Sequence, residues 1–158
     1  MQQLLVIGAL IILGSLVLTF NRSTQNVNAN NYFNIAVIDA TASAQSLIEG
    51  IQTKAFDENT ITSSVSAASS LTANASLGPD AGESITTQFD DVDDYDNYTE
   101  IDTFQQFGQF TVSVDVNYVQ KYSPETVSAT PTFLKKIDVT VSNSFLTRSL
   151  TLSRIITY

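Results

Sequence analysis

Apolar positions follow three different rules along this chain. From Leu4 to Phe20, a run of about 17 positions carries no charge and almost no polar side chain. With residues 1–3 the run reaches about 20, enough for a helix to cross a hydrocarbon layer of roughly 30 Å. The rule then changes. Phe33, Val37, Ala40, Ala44, Leu47, Ile51 and Ala55 recur at steps of three and four, the signature of a helix with one buried stripe. Gly50 weakens that stripe modestly, and Asp57, Glu58 and Asn59 end it. The pattern predicts one long helix over residues 2–56, roughly 80 Å if continuous. It is oily all round over residues 1–22 and amphipathic over 23–56. The Asn-rich stretch from Asn21 to Asn31 has poor helix propensity and is expected to be looser or locally unwound.

After the helix the pattern lapses. Residues 61–83 are rich in Ser, Ala and Thr, with turn signals at Gly78, Pro79, Asp80 and Gly82. They read as a surface connection, and an acidic segment, FDDVDDYDNYTEID, follows. Beyond it the period becomes two. Phe110, Val112, Val114, Val116 and Tyr118 alternate with polar residues, as a half-buried strand requires. Residues 121–132, with Pro124 and Pro131, read as a loop. Ile137, Val139 and Val141 mark a second strand, and Leu146, Leu150 and Leu152 a third, the short SNS link between them suggesting a hairpin. Three antiparallel strands with one apolar face need a cover, and the helical stripe supplies it. The expected fold class is α+β: a long N-terminal helix whose C-terminal half packs on a small antiparallel sheet. The expected divisions are 1–56 (helix), 57–106 (linker with acidic loop) and 107–158 (three-stranded sheet).

The oily strip admits three readings. A signal peptide needs a positive n-region and an A-x-A cleavage site; neither is present here, so the strip is expected to be retained. A plain transmembrane anchor tolerates Gly8 and Gly14 and places Arg22 at the interface. A helix stored in the membrane and later buried among identical helices explains an apolar surface on every side.

Composition narrows the chemistry. The 158 residues hold 16 Asp plus Glu against 7 Lys plus Arg, a net charge of −9. Without a basic run such a chain is a poor nucleic-acid binder. There is no Cys, no His and no Trp, so His-dependent triads, thiol chemistry and most zinc sites are excluded. Carboxylates, Lys, Tyr and hydroxyls remain.

The oily helix, its amphipathic continuation, the variable linker and the C-terminal antiparallel sheet resemble a mature type IV pilin or pseudopilin. The segment FDDVDDYDNY, followed by Phe110-x-Val112-x-Val114-x-Val116, is similar to minor pilins of the mannose-sensitive haemagglutinin type. The resemblance implies a leader removed before the first mature residue, a position that Met1 fits, often with N-methylation. It implies subunits waiting in the inner membrane and then drawn into an extracellular helical filament of identical subunits, where they serve a structural role in cell adhesion, motility, DNA uptake or secretion. It assigns assembly to Met1, Gln2, Gln3, Leu4, Leu5, Ile7, Leu10, Ile11, Leu13, Leu16, Leu18 and Phe20, and Gly14 matches a position after which such helices often lose regular structure. Two positions depart from the family. Leu5 stands where most pilins carry an acid, and Arg22 where proline is common. Leu5 removes the cost of burying a carboxylate and also a register-setting charge pair, leaving the Gln2 and Gln3 amides to take that role. The missing acid points to a divergent filament system or a tip-located minor subunit. The family's usual cysteine pair is absent as well. An alternative function is a single-span, membrane-anchored extracytoplasmic binding module that uses the acidic loop or the Pro124–Pro131 loop.

Three kinds of side chain stand as candidate sites. Asp90, Asp91, Asp93, Asp94 and Asp96, near Glu100 and Asp102, form a cluster that calcium would relieve of its mutual repulsion. The spacing is not an EF-hand, since Tyr95 and Asp96 fill the fifth and sixth places counted from Asp91, and a solvated acidic turn is the alternative. Paired acids also occur in glycosidases, but no other feature indicates a substrate cleft. No other cofactor is expected. Asn21, Asn74 and Asn97 begin N-x-Ser/Thr sequons, and the Ser/Thr-rich connection offers hydroxyls for O-glycosylation. Lys135 and Lys136 read as solubility devices at a strand edge. Tyr95, Tyr98, Tyr118, Tyr122 and Tyr158 read as packing or surface residues.

Overall fold

A computed structural model describes residues 2–158 and, within α1, every side chain but that of Ala29. Met1 of the expected assembly set lies outside the described residues. The chain divides into two units, Met1–Ala36 and Val37–Tyr158. The first helix, α1, spans Gln2–Ile51.

In the N-terminal unit every large apolar side chain of the strip is exposed, from Leu4 at 73% to Phe20 at 75%. Its hydroxyls are nevertheless satisfied. Ser15 Oγ donates to the Ile12 carbonyl at 2.8 Å, and Thr19 Oγ1 to the Ser15 carbonyl at 2.8 Å. The Asn-rich stretch is helical throughout, against the expectation of unwinding. Its propensity deficit is only about 0.7 kcal/mol per residue or less, and propagating an existing helix costs far less than starting one.

In the C-terminal unit the remainder of α1 packs on the sheet through Ala40, Ala44, Ile48 and Ile51, all buried. Ser43 Oγ donates to Asp102 Oδ2. The helix ends at Ile51, five residues before the expected end. Beyond Gly50 the bonds tighten: Thr53 N–H donates to the Gly50 carbonyl and Lys54 N–H to the Ile51 carbonyl. Ala55 leaves the helical stripe and bridges the acidic segment, donating to the Asp90 carbonyl and accepting from Val92 N–H, both at 3.0 Å. Asp57 then caps a single turn, α2 (Glu58–Ile61), in a reciprocal capping box with Thr60.

The sheet has five antiparallel strands rather than three: β1 (Thr99–Phe104), β2 (Gly108–Gln120), β3 (Ser123–Val127), β4 (Leu134–Ser142) and β5 (Leu150–Thr157). The order is β1-β2-β4-β5, with β3 paired to the end of β2. β1 lies inside the expected linker because its pattern is inverted. Ile101 faces solvent, while Glu100, Asp102 and Phe104 are half-buried. β3 lies inside the expected loop because Pro124 signals a break, yet an edge strand tolerates proline. The predicted pairing forms between β4 and β5, but the link is residues 143–149 rather than the short SNS. Leu146 lies in that link, its N–H donating to the Asn143 carbonyl, rather than on the strand. The connection over 61–83 is not purely superficial: Leu71 is buried against Phe56 and Tyr118, with Val65, Ala68 and Leu77 packed alongside.

The core is the inner face of β2 and β4. Phe110, Val112, Val114, Val116 and Tyr118 meet Ile137, Val139 and Val141 across the ladder. Ile137→Ala, at a fully buried position, should destabilise the chain by about 2–5 kcal/mol. Ile101→Ala, on a side chain 59% exposed, should stay within about 0.5 kcal/mol. Denaturant unfolding of the detergent-solubilised chain, followed by circular dichroism, checks both.

Candidate functional site

β4 alternates strictly, so the residue in phase with Ile137, Val139 and Val141 is Lys135. Its side chain is fully buried. This corrects the expectation of a solubility device at a strand edge. Lys136, of opposite phase, is the partly exposed one, paired with Asp138 at 2.8 Å. Lys135 is the register partner of Tyr118 on β2, and the ring of Tyr118 lies 4.9 Å from its Nζ. The Phe56 ring centroid lies 4.5 Å from the same Nζ.

A buried ammonium needs oxygen partners, and three converge on it. Lys135 Nζ donates to the Phe56 carbonyl at 2.6 Å and to Asp57 Oδ2 at 3.1 Å, and it also contacts Asp93 Oδ1. Asp57, fully buried, is held from every side. Its Oδ1 accepts from Asn59 N–H and Thr72 Oγ1, each at 3.1 Å, and its Oδ2 from Tyr118 Oη at 2.7 Å and Thr72 N–H at 3.0 Å. Burial alone would raise the Asp57 carboxyl. The bond from Tyr118 and the charge of Lys135 outweigh it, and the group is held below the ordinary carboxylate range. Tyr118 is correspondingly pushed above the ordinary phenol range, first by burial and then by its bond to Asp57.

The acidic segment folds over this cation in a single 3₁₀ turn, Asp93–Tyr95. Asp91 Oδ1 accepts from Asp93 N–H at 2.6 Å and Asp94 N–H at 3.2 Å. Asp94 Oδ2 accepts in return from Asp90 N–H at 2.9 Å and Asp91 N–H at 3.1 Å. Asp91, Asp93 and Asp94 are all buried. Burial, then the charges of Asp93 and Asp94, push Asp91 up to about 8. Burial pushes Asp93 up to about 7, against the opposing pull of Lys135. Asp93 Oδ2 is buried without a hydrogen-bond partner.

The five aspartates of the expected calcium set therefore face different ways. Asp93 faces Lys135, and Asp96 Oδ1 accepts from Val116 N–H at 2.9 Å on β2. Among the described residues, Glu83, Asp90 and Asp94 bring carboxylate oxygens within 4.8 Å of one another, and Glu83 was not in that set. Of the sequon asparagines, Asn21 and Asn97 are exposed, the latter at φ 61°. Asn74 is half-buried, its amide nitrogen donating to the Ser128 carbonyl at 2.7 Å. The assembly residues Gln2, Gln3, Leu4, Leu5, Ile7, Leu10, Ile11, Leu13, Leu16, Leu18 and Phe20 are all exposed on the helix.

What sequence reading missed is the cluster of Lys135, Asp57, Asp93 and Tyr118. The phase of Lys135 within β4 was the signal that could have found it.

The raised Asp91 carboxyl has a pH consequence. Folded, this group keeps its proton up to about 8; unfolded, it loses it near 3.8. Folding therefore binds a proton between those values, and stability falls as pH rises from about 4 to about 8. The depressed Asp57 works the other way, its contribution vanishing as pH falls below the ordinary carboxylate range. Asp91→Asn keeps the accepting Oδ1 and removes the titration. Its melting temperature should fall less between pH 5 and pH 8 than that of the unaltered chain, and equal slopes would refute this.

Comparison of the chain with known proteins finds no matching family, no matching curated protein and no matching solved structure. What the coordinates establish by themselves is a pilin-like fold, a long apolar N-terminal helix and an antiparallel sheet on which the helix's C-terminal part packs.

Proposed function

We propose that this chain is a structural subunit of an extracellular, type IV pilus-like filament that polymerises through its N-terminal helix. One observation carries the reading. The apolar strip Leu4–Phe20 is exposed on every face, so among the described residues nothing covers its oil. Exposed apolar surface on that scale marks a surface made for contact. The strip is also long and apolar enough to cross a membrane, which suits an inner-membrane pool before assembly. Hydroxyls folded back onto their own helix leave both lipid and neighbouring helices an apolar face. Moving from lipid to a helix bundle yields little hydrophobic gain, because lipid is already apolar. Packing of identical strips and polar contacts between the C-terminal units supply the rest. Leu5, in the place of the family's acid, leaves the exposed Gln2 and Gln3 amides as the polar groups nearest the start of the strip.

Ile11→Asp tests the reading. An acid at the centre of an apolar helix costs about 2.5–3.5 kcal/mol in a bilayer, and a filament would bear such a cost at every subunit. Filaments in the sheared cell-surface fraction should disappear under electron microscopy, while the sheet stays folded by circular dichroism. Filaments of normal abundance would refute the proposal. If the unaltered chain stays in membranes and never enters a filament, it is an anchored binding module instead.

A further inference from the structure

We propose that Lys135 and Asp93 become joined by an intramolecular amide bond, formed by the folded chain itself with Asp57 as proton carrier. Three side chains meet the needs of that reaction. The nucleophile is the Lys135 amine, which contacts Asp93 Oδ1. The acyl group is the Asp93 carboxyl. The carrier is Asp57, whose Oδ2 lies 3.1 Å from Lys135 Nζ. All three are shut away from water, with side-chain exposures of 0% for Lys135 and Asp57 and 3% for Asp93. The Phe56 and Tyr118 rings line the amine, and Tyr118 Oη and Thr72 fix the Asp57 carboxyl against it.

In water an amine and a carboxylic acid do not condense, because both are better solvated as ions. Burial removes that advantage, since an isolated buried charge is costly and a buried ion pair is only partly compensated. Fixed proximity replaces a bimolecular encounter with an intramolecular one, a gain that reaches effective molarities on the order of 10⁵ M or more. The upward push on Asp93 supports this, because it holds the acyl partner as a neutral acid below about 7. Asp93 Oδ2, buried without a partner, has no hydrogen bond to hold it as a carboxylate oxygen.

The step balances. Lys135 passes one proton to Asp57 and becomes a neutral amine. Its nitrogen attacks Cγ of the Asp93 carboxylic acid, forming one N–C bond. The C–O bond to the acid hydroxyl breaks, and that hydroxyl leaves with a second proton from the nitrogen. One water departs, the amide keeps one hydrogen, and Asp57 remains as a neutral acid, the Lys135 charge that had helped to lower its carboxyl being gone. Nothing is oxidised or reduced, and no co-reactant is required. The bond would tie β4 to the 3₁₀ turn 42 residues earlier in a chain that has no cysteine to do so.

The test is mass spectrometry of the full-length, detergent-solubilised chain. The denatured protein should weigh one water less than its sequence, and digestion should yield one branched peptide carrying Lys135 and Asp93. Asp57→Asn should restore the full mass while circular dichroism still reports the sheet, and Lys136→Arg should keep the deficit. A folded, unaltered chain of full mass would overturn the proposal. So would a water loss located on a linear peptide, as from a cyclised aspartate. An undiminished deficit in Asp57→Asn would overturn the role of Asp57.

Discussion

The C-terminal unit is organised around one buried cation. Lys135 sits on the inner face of β4 at a place where the strand's own period calls for an apolar residue. Its ammonium is tolerable only because Phe56, Asp57 and Asp93 bring oxygens to it. Each of those residues lies where the chain changes direction. Phe56 and Asp57 follow the end of α1, and Asp93 opens the turn that precedes β1. Thr72, from the long connection, is held to the same carboxylate. Segments that share no ladder are thus fixed to one point, and the cation does the work that a metal or a disulfide does in other small cores.

The cluster is also over-supplied with acid. Asp57, Asp91, Asp93 and Asp94 are buried near a single lysine. The backbone absorbs part of the excess, since Asp91 and Asp94 accept from each other's neighbourhood in a closed set of short loops. Protons absorb another part, as the upward push on Asp91 and Asp93 records. The N-terminal unit poses the opposite problem. It has an excess of apolar surface and, among the described residues, no partner for it.

Much of this was legible in the chain. The all-apolar strip, the three-four stripe and the alternation of β2 and β4 each carry a strong period and each yields a helix or strand, although Phe33 is exposed, Ala55 lies past the end of α1 and Leu146 precedes β5. The misses have physical causes. β1 carries its one large aliphatic residue outward, so hydropathy cannot reveal it. Asn21–Asn31 is helical because propensity is a weak force beside continuity with a flanking helix. The acidic segment reads as solvated because carboxylates usually are; its burial depends on a lysine some 40 residues later, a pairing no local pattern encodes. Lys135 itself was visible in phase but hidden by chemistry, since a charge in a strand is ordinarily taken to face water.

The alternation of β4 leaves one ambiguity that hydrophobicity cannot resolve. Sliding this strand by two residues against β2 keeps every valine and isoleucine facing inward, and an oil-only core would scarcely distinguish the two alignments. With Lys135 in the row, the slide carries the ammonium one full repeat away from Asp57 and Asp93, and strips both acids of their one cationic partner. The lysine therefore acts as a registration pin: a residue that weakens the core as a solvent-free medium makes one alignment of the sheet the only affordable one.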